Sequence, residues 1–269
     1  MNELLKKIRR RLSILDYRKN YYLSKLLPTR IRFSPLRYIP DGFSVTTLAN
    51  TGIKVIDNFC TADEANYLIE KARKSMIKSR VIVDGKAILE SGRTSSHAVV
   101  HHRYHQDPKV LSIIARAAML IGVPLEHAEQ IYVTRYGPGE FYHGHYDFSD
   151  DYLASHRLCT LLVYLNDLEE SQGGVTYFRD LNVAMRPWKG RAACWTNINP
   201  DGSIHRETLH AALPIEDEDA EKWVMQVWFR PYKMHKLHQK LDSLQSGRGQ
   251  PLSSNDELPD GVWLLDQAN

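Results

Sequence analysis

His145 and Asp147 stand one residue apart in the run Tyr136-Gly137-Pro138-Gly139-Glu140-Phe141-Tyr142-His143-Gly144-His145-Tyr146-Asp147. On an extended strand, side chains two residues apart point to the same face. An imidazole nitrogen and a carboxylate oxygen that converge in this way make two thirds of a 2-His-1-carboxylate facial triad. Such a triad holds non-haem Fe(II) on one face and leaves its other coordination positions open. The third ligand should be a histidine on a neighbouring strand. His210, in Thr208-Leu209-His210-Ala211-Ala212-Leu213-Pro214, is the candidate. Alone, H-x-D is a weak signal. With 12 histidines and 32 acidic residues it can arise by chance, and a surface His and Asp on an edge strand is the plain alternative.

The rest of the chain has to position these groups. Its 269 residues suit one large domain, or one domain with extensions. A hydrophobic content of 43% and a charged content of 25% are ordinary for a soluble globular chain. Cys60, Cys159 and Cys194 are odd in number and unpaired in spacing, which suits neither a disulfide framework nor a zinc site. Cys159 and Cys194 sit in apolar runs, as buried thiols do, so a reducing, cytoplasmic compartment is expected. No stretch approaches the run of about 18 apolar residues that a spanning helix needs. The basic N-terminus lacks the apolar core and cleavage site of a secretory leader.

The net charge of +3 is unevenly spread. Residues 1–40 carry 11 Lys/Arg against 2 Asp/Glu, or +9, which leaves −6 for the remainder. Within this arm Leu4, Leu5, Ile8, Leu12 and Leu15 recur at helical spacing among Lys6, Lys7, Arg9, Arg10 and Arg11. A basic amphipathic helix could touch anionic lipid, as a peripheral membrane anchor, or nucleic acid. It could equally dock on the chain's own acidic body or on a second subunit. Pro28, Pro35 and Pro40 then break the pattern.

From about Gly42 the chain reads as a folded core. Ile53–Phe59 alternates as a strand does, and Thr61 with Glu64 has the capping-box spacing that opens a helix through about Lys74. Arg80–Val83 predicts a strand and Gly92–Ser96 a polar loop. Asp107-Pro108 predicts a second helix start, with Leu111, Ile114, Ala118 and Ile121 as its buried stripe and Gly122 as its stop. Beyond Gly122 the period changes. Ile131–Tyr136, the almost wholly apolar Leu158–Leu165, Gly173–Phe178, Ala192–Trp195 and Trp223–Phe229 all predict strands. Helices followed by many short strands imply an α+β chain whose helices pack outside a β-sandwich or jelly roll. The division is then a basic arm (1–40), a core domain (41–235) and a tail (236–269). The tail holds a Ser/Gly/Gln-rich linker at 243–255 and an apolar end, Asp260–Leu265, that could dock back on the body.

Several ordered pieces in this core resemble the prolyl 4-hydroxylase branch of the 2-oxoglutarate- and Fe(II)-dependent dioxygenases. They are Arg93-Thr94-Ser95-Ser96, the Tyr136-to-Asp147 run, Arg157-Leu158-Cys159-Thr160 leading into Val163–Asp167, and Gly173–Phe178. After those come Pro187-x-x-Gly190, Pro200-Asp201-Gly202, Leu209-His210 and Lys222-Trp223. Their shared order over about 180 residues carries the resemblance. It implies a double-stranded β-helix, a jelly-roll, cupin-like core flanked by N-terminal helices. It implies His145, Asp147 and His210 as iron ligands, Lys222 as the partner of the distal 2-oxoglutarate carboxylate, and Tyr136 and Thr160 in the cosubstrate pocket. Without the resemblance Lys222 would read as a surface lysine, and Tyr136 and Thr160 as core residues. The segment Glu216–Glu221 before Lys222 is about two residues longer than is usual in the family.

The implied cofactors are Fe(II), 2-oxoglutarate and O2, with ascorbate as reductant. The implied reaction is hydroxylation of an unactivated C–H, with succinate and CO2 as coproducts. Asp147 favours hydroxylation, because related halogenases lack this carboxylate. The implied substrate is a prolyl residue in a peptide or protein, with a free amino acid or small metabolite as the second choice. Arg93 and the loop at 148–155 could line the entrance. Tyr142 and Tyr146 read as packing residues or as supports behind the ligands, and His143 and His205 as bystanders. A non-catalytic β-helix binding module is the alternative of another class.

Overall fold

The computed structural model describes residues 42–48, 51–83, 86–101, 107–148, 157–199, 203–231, 234 and 260–264. The basic helix expected within 1–40, most of the loop at 148–155 and the linker at 243–255 lie outside the described residues.

In chain order the elements are β1 (Ser44–Thr47), β2 (Lys54–Asp57), helix α1 (Ala62–Arg73), β3 (Ile77–Lys78), β4 (Val81–Val83), β5 (Lys86–Ile88) and β6 (Ser96–His101). Helix α2 (Pro108–Ile121), β7 (Ile131–Tyr136), β8 (Tyr142–His145), β9 (Cys159–Tyr164) and β10 (Thr176–Phe178) follow. The order closes with β11 (Val183–Met185), β12 (Ala192–Thr196), β13 (His210–Ala212), β14 (Lys222–Phe229) and β15 (Val262–Leu264). Both helices begin where their capping residues dictate, and α2 ends at one as well. The Thr61 hydroxyl accepts from the Glu64 N–H while the Glu64 carboxylate accepts from the Thr61 N–H, closing the capping box of α1. Asp107 accepts from the N–H groups of Lys109 and Val110, and Gly122 ends α2 in the left-handed region at φ 74°.

The strands form two large antiparallel sheets. The major sheet runs β1-β2-β12-β9-β14-β7-β6-β3 and the minor sheet β15-β11-β10-β13-β8. From β7 onward the chain shuttles between them, placing β7, β9, β12 and β14 in one and β8, β10, β11 and β13 in the other. This winding is a double-stranded β-helix. The central strands of the major sheet are buried on both faces, which explains their continuous apolar runs. Leu161, Val163, Met225 and Val227 pack beneath α1 and α2 with Val110, Ile113 and Ala117. Their alternates, Leu162, Tyr164 and Val224, face the minor sheet with Phe178, Met185 and Trp195. The inward face of this second layer carries the chemistry.

Two features depart from the sequence reading, and a third agrees with it. The expected loop at 92–96 ends in a strand, since Ser96 opens β6, and Arg93 already bridges Tyr142. His145 and Asp147 do not share a strand, because β8 stops at His145 and Asp147 sits in a bend beyond it. The apolar C-terminal end does dock, with Val262–Leu264 pairing along β11 at the edge of the minor sheet.

Candidate active site

The pairing of β8 with β13 sets His145 directly opposite His210. Asp147 completes the group. His145 Nε2 lies 3.8 Å from Asp147 Oδ1, and His210 Nε2 lies 3.8 Å from Asp147 Oδ2. One ligand atom from each residue falls within 4.8 Å of the others, in the one such His/Cys/Asp/Glu group among the described residues. His145 Nδ1 is 2.9 Å from the His143 carbonyl, and His210 Nδ1 is 2.9 Å from the Thr208 carbonyl. A carbonyl only accepts, so each Nδ1 carries the proton and each Nε2 lone pair is left for a metal. Burial, and next the neighbouring His210, push the His145 pKa down to about 3, which keeps its imidazole neutral. Burial alone would raise the Asp147 carboxyl. His210, His145, Arg157 and the Thr160 hydroxyl outweigh it and hold the group down at about 2. Two imidazoles and one carboxylate are the donor set that suits Fe(II), so these residues fit the metal and could hold it.

The triad opens into a cavity of about 400 Å³ whose lining includes Arg93, Tyr136, Thr160, Thr176, Trp195 and Lys222. Lys222 opens β14 directly opposite Tyr136 on β7 and is 1% exposed. Its ammonium donates to Thr176 Oγ1 at 3.3 Å and lies 5.4 Å from the centre of the Tyr136 ring. Burial pushes its pKa down to about 7, and no carboxylate among the described residues offsets that. Burying a charge without a partner costs several kcal/mol. A cavity-lining cation in this condition therefore fits an anionic ligand, as 2-oxoglutarate is. The indole N–H groups of two lining residues, Trp195 and Trp228, also have no hydrogen-bond partner among the described residues.

The remaining expected residues sort themselves by contact. Tyr136 is buried at the cavity wall, where burial raises its phenol to about 12 and keeps it a neutral hydrogen-bonding group. Thr160 lines the cavity too, but its hydroxyl donates to Asp147 Oδ2 at 2.7 Å. Arg93 lies with its guanidinium 4.5 Å from the centre of the Tyr142 ring, and Tyr142 in turn stacks on His145 with centroids 3.7 Å apart. His143 stacks on Phe141, and His205 pairs with Thr196 and Glu207. Neither joins the triad.

Sequence reasoning missed three residues. Thr176 touches Lys222, and only its place after Gly173-Gly174 marked it. Asn197 donates to Thr160 at 3.0 Å and carried no signal. Arg157 lines the cavity, with its guanidinium 3.7 Å from the centre of the Trp228 ring and bonded to the buried Glu129 at 2.9 and 3.1 Å. Glu129 holds Arg157 charged despite its burial. It was marked only as the first residue of the Arg157-to-Thr160 piece, with no role attached.

Comparison with known proteins agrees with this geometry. Residues 131–230 match the 2OG-Fe(II) oxygenase superfamily. Prolyl 4-hydroxylase 1 of Arabidopsis thaliana is 29% identical over 197 residues, which span 66% of this chain and 68% of the relative. Probable prolyl 4-hydroxylase 8 of the same plant is 30% identical over 204 residues, spanning 66% and 68%. The crystal structure of a viral collagen prolyl hydroxylase from Paramecium Bursaria Chlorella virus-1, in its 2-oxoglutarate complex, superposes with a TM-score of 0.52. That pair is 29% identical over 67% of this chain and 97% of the viral one. This chain thus belongs to the prolyl 4-hydroxylase-like family of 2-oxoglutarate- and Fe(II)-dependent dioxygenases and is an enzyme of that class.

Proposed function

We propose that the enzyme hydroxylates a prolyl residue of a peptide or protein. His145, Asp147 and His210 would hold the iron, and Lys222, with Tyr136 and Thr176 beside it, would hold the distal carboxylate of 2-oxoglutarate. The observation that carries this reading is the triad facing a buried, uncompensated ammonium within one cavity. The prolyl substrate rests on the relatives' names and on the cavity wall. There the rings of Tyr132, Tyr142, Tyr146 and Trp228 offer the flat apolar faces on which proline-rich segments dock. Arg93 would meet the substrate at the mouth.

When bound, iron with 2-oxoglutarate and O2 supplies the oxidising power for C–H hydroxylation, giving succinate and CO2. The chain's own residues set the conditions. The two Nδ1–H groups, tied to carbonyls, keep both Nε2 lone pairs aimed inward. Lys222 takes a proton on Nζ to meet the incoming dicarboxylate and so orients it. Leu162, Val224 and Trp195 line the walls and exclude water, which strengthens every charge interaction inside.

We infer the catalytic unit to be residues 41–235, with 1–40 as an arm suited to an acidic surface and 236–269 as a tail. Three buried, free cysteines, with burial raising the Cys194 thiol to about 12, support a reducing compartment such as the cytoplasm. Among the described residues no helix is long and apolar enough to cross a membrane. The test is mass spectrometry of proline-containing peptides incubated with the enzyme, Fe(II), 2-oxoglutarate and ascorbate. The expected result is a gain of one oxygen on proline. Hydroxylation of free amino acids with untouched peptides would replace the peptidyl assignment with the small-metabolite one.

A further inference from the structure

The two histidines of the triad are oriented by their own backbone, but Asp147 is not. It lies past the end of β8 in a bend, outside the ladder that pairs His145 with His210. A carboxylate has two equivalent oxygens, and here each lies 3.8 Å from a different imidazole Nε2. Something must select which oxygen a metal meets. We propose that Thr160, itself held by Asn197, is a positioning residue that occupies Asp147 Oδ2 and leaves Oδ1 as the oxygen offered to the metal.

The contacts form a short chain. The Thr160 hydroxyl has one proton and two acceptor sites. It donates to Asp147 Oδ2 at 2.7 Å, in the range of a bond to an ionised acceptor, and accepts from Asn197 Nδ2 at 3.0 Å. The Asn197 Oδ1, 3.2 Å away, competes for the same proton, and the charged acceptor wins. Thr160 and Asn197 are each 1% exposed, so bulk water cannot substitute for either. Both are rigidly mounted. Thr160 sits in β9 between Trp195 of β12 and Trp228 of β14. Its β-branched side chain has few rotamers. Asn197 follows β12, with its N–H bonded to the Leu158 carbonyl and its own carbonyl accepting from His205 N–H. The Thr160–Asn197 unit thus gives a residue outside the strands the fixity that strands give the histidines.

This inference rests on the metal-centre reading, and the test separates the two. The full chain and its variants are titrated anaerobically with Co(II), followed by visible absorption. Binding of 2-oxoglutarate at saturating Co(II) is measured in parallel. Thr160→Val, nearly isosteric, is expected to weaken Co(II) binding about 10–100-fold. Thr160→Ser, which keeps the hydroxyl, is expected to bind close to the parent. Asn197→Ala is expected to fall between them, and the Thr160→Val/Asn197→Ala double variant to be no worse than Thr160→Val alone, as for residues acting in series. Should Thr160→Val fail to fold, as judged by its unfolding transition, the comparison of Asn197→Ala with the parent decides. Unchanged Co(II) affinity in Thr160→Val overturns the proposal. Loss of 2-oxoglutarate affinity alone also overturns it and makes Thr160 a cosubstrate contact. If the parent takes up no Co(II), the metal-centre reading falls and the inference with it, a result distinct from parental binding that the variants fail to change.

Discussion

Lys222 shows how a single side chain links burial to function. An ammonium buried with one hydroxyl as its hydrogen-bond partner among the described residues is held down at about pKa 7, against an ordinary value of 10.5. The folded form therefore binds fewer protons than the unfolded chain between about pH 7 and 10.5, and the lysine's destabilising effect fades as pH rises through that window. Two outcomes follow. At pH 8, 2-oxoglutarate binding should take up close to one proton, read by calorimetry in buffers of different ionisation enthalpy. Lys222→Met should raise the stability of the metal-free protein by about 1 kcal/mol or more while abolishing cosubstrate binding. Binding without proton uptake would show that the lysine is not the carboxylate's partner. At this scale the sequence was uneven. That His145, Asp147, His210 and Lys222 meet in one cavity was legible, because a family pattern or a two-residue spacing marks them. Thr176 and Arg157 lay inside family pieces without a role attached, and Asn197 lay in none, because a threonine in a strand, an asparagine after one and an arginine before one are common everywhere. Only their contacts distinguish them.

Among the elements, legibility tracked length and apolar content. Strands β7, β9 and β14 are long, lie in the centre of a sheet buried on both faces, and so stand out as apolar runs. Helices α1 and α2 stand out through their caps. The strands β8 and β13 bear the two histidines but give no such signal. The first holds Gly144 and is partly exposed, and the second is three residues long. Their alignment is a property of register, which no local pattern encodes. The turn before β12 illustrates a motif whose reason is steric. Gly190 has φ 84°, its carbonyl accepts from Cys60 N–H, and a Cβ there would lie 2.3 Å from the Cys60 carbonyl oxygen. The side chain would collide with backbone, which cannot swing away. Gly190→Ala is therefore expected to cost about 2 kcal/mol or more. Chemical denaturation checks this, and a change within experimental error would mean the turn is slack.

For the whole molecule, the jelly roll supplies a stiff frame and the C-terminal residues add to it from outside the core domain. Strand β15 pairs with β11, and the Asp260 carbonyl accepts from the buried Arg191, whose guanidinium also meets Asp57 at 2.6 Å. Removing residues 260–269 bares the β11 edge and takes one acceptor from a buried arginine. The melting temperature should fall by about 2–4 °C for each kcal/mol lost, with the triad's metal affinity retained. An unchanged melting temperature would show that the strand is ornamental. The order of helices before most of the strands pointed to a β-sandwich or jelly roll, and the family resemblance to the double-stranded β-helix. The return of β15 was visible only as an apolar end after a polar linker, since pairing across so long a separation leaves no periodic trace.

Three side chains must act together with a metal, and succinate release reads that directly. The protein is loaded anaerobically with Fe(II) and 2-oxoglutarate, O2 is admitted, and succinate is quantified without any prime substrate. Slow succinate formation is predicted for the parent chain, with none in His145→Ala, Asp147→Ala or His210→Ala. Undiminished succinate in any of these variants, or none from a parent chain that demonstrably binds iron, would contradict the assignment of the site.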